Sequence, residues 1–260
     1  MKTLVMKFGG STLSLPASYA QVSEIICSRR ASFDRIAVVI SAMQGVTDQL
    51  IALAGQVNDD PPKREYDMLV SVGERISISL LAMALAKRGC DAVSFTGSQS
   101  GIITCQQHSD ARIVDVRPHR LLQTLDQGKV VIVAGFQGVS MDKEITTLGR
   151  GGSDTSAVAL GLALDASCVE FIKDVDGIYS ADPKSDEGAR HIPSMSYDEA
   201  LDILDCRCPI LHPRAIQLAK KNNLPLKVLS FNTIGTLEER STSVQTSSNL
   251  APCSLCYEEV

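Results

Sequence analysis

The sequence predicts an α/β protein with a mostly parallel sheet covered by helices on both faces. Three observations carry that expectation. Short β-branched runs such as 36–40 alternate with longer stretches of helical periodicity, the pattern of repeated βα units. Trp is absent and aromatic residues are only 4% of the 260, so the core must be aliphatic, as suits buried parallel strands. Glycine pairs also stand just before predicted helices, at Gly9-Gly10 and Gly151-Gly152.

Residues 4–8 form a strand-like run that breaks at Gly9-Gly10-Ser11-Thr12, and Ser14-Leu15-Pro16 reads as a capped helix start with an early proline. The run 36–40 predicts a buried strand, followed by a turn at 41–46 and a helix to about Val57. Asp59-Asp60-Pro61-Pro62 punctuates the chain, and 63–88 reads as one or two helices interrupted at Gly73. Strands are expected at 92–95 and 130–136, separated by an irregular Gly/Ser/Gln-rich loop at 97–109 and a short helix near Leu121. A polar loop at 140–152 leads to a helix at 153–164, a strand at 169–172 and a turn at 174–183. Ser196-Tyr197-Asp198-Glu199 has the capping-box form and opens a helix to about Asp205. Pro213 starts another, to about Asn222, and 226–231 makes the last strand. Residues 242–260 are Ser/Thr-rich and weakly patterned, and read as a loose tail.

Composition excludes several classes of function. A formal net charge of -5, with no long basic stripe, argues against nucleic-acid binding. The apolar runs 80–86 and 130–134 fall far short of the ~20 residues a membrane span requires, and Lys7 interrupts the first apolar stretch before a signal sequence could form. A cytoplasmic protein without membrane contact is expected. Eight cysteines are too few for a disulfide scaffold and read as reduced thiols. Cys206-Arg207-Cys208 and Cys253-Ser254-Leu255-Cys256 do not have the spacing of a zinc ribbon, so no metal-ligating residues are assigned.

Two turns carry chemistry: Lys7-Phe8-Gly9-Gly10-Ser11-Thr12 and Gly149-Arg150-Gly151-Gly152-Ser153-Asp154. Each pairs a basic side chain with glycines at a helix start, where unpaired N–H groups and the helix dipole favour anions. The usual nucleotide signatures fail. No GxxxxGK[ST] occurs, and Asp154 stands where GxGxxG needs its third glycine. Asp174, about 20 residues further on, is where a dinucleotide fold would place its ribose acid, but the polar stretch 144–148 is a poor buried strand.

Seven segments together carry a resemblance. They are Lys7-Phe8-Gly9-Gly10-Ser11, the run 39–48 (VISAMQGVTD), Ser71-Val72-Gly73-Glu74, Gly135-Phe136-Gln137-Gly138, the run 146–154 (TTLGRGGSD), the run 174–183 (DVDGIYSADP) and Leu211-His212-Pro213-Arg214-Ala215. In this order, from Lys2 to about Leu237, they resemble the signatures of the aspartokinases within the amino acid kinase family.

The resemblance implies a three-layer α/β/α sandwich in two lobes. The first, about 1–145, would bind the amino acid, and the second, about 146–240, the ATP, with 241–260 as a short tail. The implied reaction is phosphoryl transfer from Mg-ATP to the side-chain carboxylate of aspartate, with ATP and Mg²⁺ as cofactors. A carboxylate is already a nucleophile, so such catalysis rests on alignment and charge neutralisation. On the same basis Lys7 would touch the transferring phosphate, with Gly9, Gly10 and Ser11 around it, and Asp154 would orient the lysines or the Mg²⁺-bound phosphates. Gly151 and Gly152 would contribute to the ATP site, and Lys173, Asp174, Tyr179 and Asp182 would face the nucleotide. Arg150 would take the substrate α-carboxylate as a fork and Glu74 the α-ammonium, with Ser41 and Thr47 lining the pocket.

Two departures qualify the resemblance. Aspartokinases usually read Gly-Ala-Lys-Val before Leu-His-Pro, whereas the aligned residues here are Arg207-Cys208-Pro209-Ile210. Pro209 cannot replace that lysine, and Arg207 or Lys173, where the family more often has Thr or Ser, would have to supply the charge. Otherwise the chain is a slow kinase, a kinase with altered nucleotide geometry, or a catalytically weak partner of a complete one, and an amino acid kinase of a different carboxylate substrate is the alternative within the same fold. The resemblance also stops near Leu237, where aspartokinases usually continue into regulatory domains. Feedback inhibition by lysine or threonine is therefore expected to be absent unless a separate regulatory subunit supplies it. A homodimer is expected from the family.

Overall fold

The computed structural model describes residues 1–175, 177–180, 186, 188–205, 210–234, 239–246 and 255–258. Strand β1 (Thr3–Phe8) runs into a 3-10 turn at Gly10–Leu13, then helix α1 (Ser18–Arg29). The start expected at Ser14 is not found. The Thr12 hydroxyl and N–H both bond the Gly9 carbonyl, at 2.7 and 3.2 Å, which winds the glycine turn into a 3-10 conformation and leaves Pro16 ahead of the helix.

Next come β2 (Arg35–Ile40), α2 (Val46–Val57), α3 (Lys63–Val70), α4 (Val72–Lys87) and β3 (Ala92–Phe95). The α3–α4 break falls at Ser71. Gly73 lies inside α4, where a Cβ would stand 2.7 Å from that of Ala42, so its role is close packing against the loop after β2. The expected loop at 97–109 contains α5 (Gly97–Ser100) and β4 (Ile102–Thr104), followed by β5 (Ile113–Val116), α6 (His119–Asp126) and β6 (Val130–Ala134). The expected loop at 140–152 begins with the end of β7 (Gln137–Ser140) and contains β8 (Ile145–Thr147). Then come α7 (Gly152–Ala163), β9 (Cys168–Lys173), β10 (Ile178–Tyr179), β11 (His191–Ile192), β12 (Ser194–Met195), α8 (Tyr197–Asp205), α9 (Pro213–Asn222), β13 (Leu226–Ser230) and β14 (Ser241–Val244). The capping box that opens α8 is formed, with Glu199 accepting the Ser196 N–H at 2.7 Å. Within the expected loose tail, two described stretches are fixed instead. Residues 241–244 pair with β13, and residues 255–258 dock on the body of the protein, as Glu258 N–H bonds Ile113 O at 3.1 Å.

An eight-stranded sheet in the order β12-β14-β13-β9-β1-β2-β6-β3 forms the middle layer. From β13 to β3 every pairing is parallel, and β14 is antiparallel to β13. A smaller sheet, β5-β4-β7-β8, stands beside it. Side chains alternate between the two faces of each strand. Leu4, Met6 and Phe8 enter the apolar cluster formed with Val22 and Ile26 of α1 and Leu81 of α4. Val5 enters the opposite cluster, with Ala157 and Val158 of α7 and Ile216 of α9. Each fully buried aliphatic side chain contributes about 1.5–3 kcal/mol by leaving water.

Taken as one stretch, residues 63–87 are long and apolar enough to pass as a membrane span by length and composition, which the short apolar runs of the sequence did not suggest. Asp67 and Glu74 are nevertheless buried within it, and Ile78, Leu81 and Leu85 of α4 pack into the core cluster against the sheet. That is the environment of a core helix pair.

Candidate active site

Strand parity places the central charges. Lys7 shares the face of Val5, and Lys173 that of Val169 and Phe171, so both point toward α7. In the β1–β9 register Lys7 lies opposite Phe171, which brings the two lysines to neighbouring carboxyl ends of parallel strands. The chain passes from β1 to β2 on one side and β9 lies on the other, the kind of crevice where open α/β sheets bind ligands. Asp154, in the first turn of α7, stands between them. Its Oδ1 is 2.7 Å from Lys7 Nζ and its Oδ2 3.6 Å from Lys173 Nζ, and the His212 backbone N–H donates to Oδ2 at 3.3 Å.

Burial alone would raise the Asp154 pKa. The charges of Lys7 and Lys173, with the hydrogen bonds from Lys7 and His212, outweigh it and hold the carboxyl down at about 2. Lys173 moves the other way. Burial and the neighbouring Lys7 lower its pKa to about 8, against the opposing pull of Asp154. Two ammonium groups thus share one carboxylate and leave a net positive charge facing the crevice at neutral pH.

Both glycine turns border this cluster. A Cβ on Gly9 would lie 3.5 Å from Lys7 Nζ, and one on Gly10 would lie 3.1 Å from the Ala42 carbonyl oxygen. Ser11 is exposed beside them. Gly149 and Gly151 have φ of 72° and 70°, a region that favours glycine. At Gly151 a Cβ would meet the His212 ring at 2.0 Å, and at Gly152 it would meet Leu148 at 2.7 Å. Gly135, at the end of β6, admits Ser153 in the same manner, at 2.8 Å.

Glu74 lies in the first turn of α4 and is 3% exposed. Its Oε1 accepts the Ala42 N–H at 3.1 Å, while buried Oε2 has no hydrogen-bond partner among the described residues. Burial pushes its pKa up to about 7, against the lowering effect of the Ala42 and Glu74 N–H groups and of Lys7. Ser41 is half-buried and ties the end of β2 to β1, its N–H bonding Phe8 O at 3.2 Å. Thr47 is half-buried in the first turn of α2. Arg150 is exposed on the 149–151 turn and has no ion-pair partner among the described residues. Asp174 is exposed just after β9, and its charge acts on Lys173. Tyr179 packs edge-on against His191, with ring centroids 5.4 Å apart. Asp182, Arg207, Pro209 and the cysteines at 206, 208 and 253 lie outside the described residues.

Three residues that the sequence reading did not single out shape the site. His212 fills the space over Gly151 and anchors Asp154. Arg214, two residues on, donates to the Leu148 carbonyl at 2.6 Å. Asp67, fully buried, accepts from the Thr147 hydroxyl at 2.6 Å and N–H at 3.1 Å and from the Ser109 N–H at 3.1 Å, and its Oδ2 lies 2.8 Å from His108 Nδ1. His212 and Arg214 belong to the recognised Leu-His-Pro-Arg segment, the one available signal. Asp67 sits among charged neighbours of α3 and gives none.

The arrangement can bind and neutralise a phosphoryl group: two cations, the glycine turn after β1 and the N-terminus of α7 border one crevice. The chain is 48% identical over 231 residues to the aspartokinase of Mycolicibacterium smegmatis, covering 88% of this chain and 55% of that protein. It therefore spans little more than half the length of that curated relative. The crystal structure of aspartate kinase from Synechocystis superposes with a TM-score of 0.84 at 40% identity, covering 98% of this chain and 42% of the other. E. coli aspartokinase III in complex with aspartate and ADP gives 0.82 at 25% identity, covering 95% and 66%. The family model described as "Amino acid kinase family" matches residues 2–230, nearly the whole described fold, and the chain belongs to that family.

Proposed function

We propose that this chain transfers the γ-phosphoryl group of ATP to the side-chain carboxylate of L-aspartate, giving 4-phospho-L-aspartate, as a cytoplasmic enzyme of amino-acid biosynthesis. The observation that carries the reading is the Lys7–Asp154–Lys173 cluster at adjoining strand ends, 2.7 and 3.6 Å across its two contacts. A carboxylate nucleophile needs no general base, so the work of the site is to bring two anions together and offset the charge that builds between them. Lys7 holds the transferring phosphoryl group, with Gly9, Gly10 and Ser11 wrapped around it. Gly151 and Gly152 let His212 and Leu148 close in on the first turn of α7, whose free N–H groups would meet the nucleotide phosphates, and Asp174 and Tyr179 border the nucleotide, with Asp182 assigned there on the resemblance alone.

Glu74 supports aspartate as the substrate. A buried carboxylate with one unpartnered oxygen is costly when ionised, and an α-ammonium supplies the partner. Arg150, without an ion-pair partner among the described residues, takes the α-carboxylate, and Ser41 and Thr47 line the pocket. Residues 1–145 then form the amino acid side and 146–240 the ATP side.

Lys173 answers the departure at Pro209. Its ammonium reaches Asp154 from β9 and adds a second cation to the cluster. Among the described residues no group of three or more His, Cys, Asp or Glu is placed to hold a metal. Mg²⁺ would arrive on the ATP phosphates and keep most of its waters, and Asp154 is the carboxylate of the cluster that would approach it. Bound there, Mg²⁺ would offset phosphate charge.

Trapping the acyl phosphate with hydroxylamine tests the reading. The purified chain, Mg-ATP and a panel of aspartate, glutamate and N-acetylglutamate should give hydroxamate from aspartate alone, and Asp154→Ala should give none. Product from another acid instead would move the substrate assignment. ATP binding without product from any acid would favour a catalytically weak partner of a complete kinase.

A further inference from the structure

The stretch 255–258 is held at both ends. At one end the Asn222 side chain pairs with Cys256, donating to its carbonyl at 2.7 Å and accepting its N–H at 2.9 Å. At the other, Glu258 bonds β5 twice: its N–H donates to Ile113 O at 3.1 Å and its Oε2 accepts the Ile113 N–H at 2.8 Å. Between them Tyr257 packs against the apolar cluster of α7 and α9. Glu258 also meets Arg214 as a two-toothed pair, Oε1 with Nε at 2.9 Å and Oε2 with Nη2 at 3.1 Å. That pairing fixes the plane of the guanidinium.

The remaining donors of Arg214 face the substrate turn. Nη1 donates to Leu148 O at 2.6 Å and Asp110 Oδ1 at 3.2 Å, and Nη2 to Ala111 O at 2.9 Å. Leu148 immediately precedes the 149–152 turn, whose conformation depends on two positive φ angles. Arg214 also lies on the helix whose N-cap, His212, covers Gly151 and bonds Asp154. One side chain thus joins residues 255–258 to the turn that carries Arg150.

We infer that Glu258 is a positioning residue: through Arg214 it sets the conformation of the 148–152 turn, so the segment 255–258 works as a strap that tunes amino acid binding. The inference rests on the aspartate reading only for its kinetic consequence. With the strap released, Arg214 keeps its hold on Leu148 but loses the pair that orients it, and the turn samples geometries in which Arg150 misses the substrate.

The test uses the full chain with Glu258→Ala and, at the far anchor, Asn222→Ala, which touches neither Arg214 nor the turn. Glu258→Ala should raise KM for aspartate about tenfold, the scale of a small misplacement of a binding group, with KM for ATP within about twofold. Glu258→Gln, which keeps the shape and loses the charge, should fall between, and Asn222→Ala should shift the same constant by less. A merely structural role would lower the unfolding temperature or the active fraction and leave the ratio of the two KM values untouched. Amide hydrogen exchange gives an arm independent of substrate. In Glu258→Ala, exchange at 148–152 should speed up more than in the core strands, and if that variant does not fold, Asn222→Ala carries the same comparison. Unchanged exchange at 148–152 overturns the strap whatever the substrate, as does faster exchange with both KM values unchanged. Faster exchange in a chain that makes no product from aspartate upholds the strap and rejects the aspartate reading.

Discussion

Asp154 is ionised at any pH the protein meets, because two lysines and a backbone N–H offset its burial, while Glu74 and Lys173 have been moved to about 7 and about 8. These values set the pH response of the site. Binding an α-ammonium requires Glu74 as carboxylate, so kcat/KM for aspartate should fall as pH drops through about 7. Binding phosphate requires Lys173 as ammonium, so kcat/KM for ATP should fall as pH rises through about 8, and Lys173→Arg should move that limb upward. Flat profiles across this range would contradict the assignment of both groups. Stability gives an independent check. The folded Glu74 pKa lies above its ordinary 4.5, so the folded state holds a proton that the unfolded chain releases, and stability falls as pH rises between those values. Glu74→Gln removes this cost. It should unfold at a higher temperature than the unsubstituted chain at pH 8, with the gap closing toward pH 4.

At the scale of elements, β1, β9 and α7 build the cluster, and the turn before α7 links it to the small sheet. Gly151→Ala tests that turn. The substitution asks for a Cβ at φ 70° and 2.0 Å from the His212 ring, so either the ring moves away or the turn rebuilds. A loss of about 1–3 kcal/mol is expected from the backbone conformation alone, read by thermal or denaturant unfolding, with turnover falling further. Wild-type stability in this variant would mean that the turn is not held as described. The elements themselves were unevenly legible. The central strands announced themselves as β-branched runs, and the parity of 4–8 already puts Lys7 on the face of Val5. The small sheet does not announce itself: β4 and β8, three residues each, fall in the two expected loops, and β5 and β7, four each, lie outside any expected strand. So short a segment shows no alternation, and glycine and serine suggest turns. Ser14 misled for another reason: a favourable cap lost to a glycine turn already closed by Thr12.

Across the whole molecule, two apolar clusters sit on opposite faces of one sheet, and the charged residues collect at the carboxyl edge that both support. That organisation was legible as alternating βα units. The pairing of distant residues was not. Asp67 reaches Thr147 across 80 residues and Glu258 reaches Arg214 across 44, and nothing local in either sequence neighbourhood marks the partner. Lys173 is the intermediate case: its position was suggested by the loss of lysine at 209, and its use is set by the strand register that brings it beside Lys7.

The central claim, that paired lysines on β1 and β9 drive phosphoryl transfer to aspartate, is tested most directly by hydroxamate formation in the unsubstituted chain beside Lys173→Met. Aspartyl hydroxamate is expected from the unsubstituted chain, and about a 100-fold loss of kcat in the variant, the scale of removing one transition-state charge contact. Equal turnover in the two proteins, or none from aspartate in a chain that binds ATP, would contradict it.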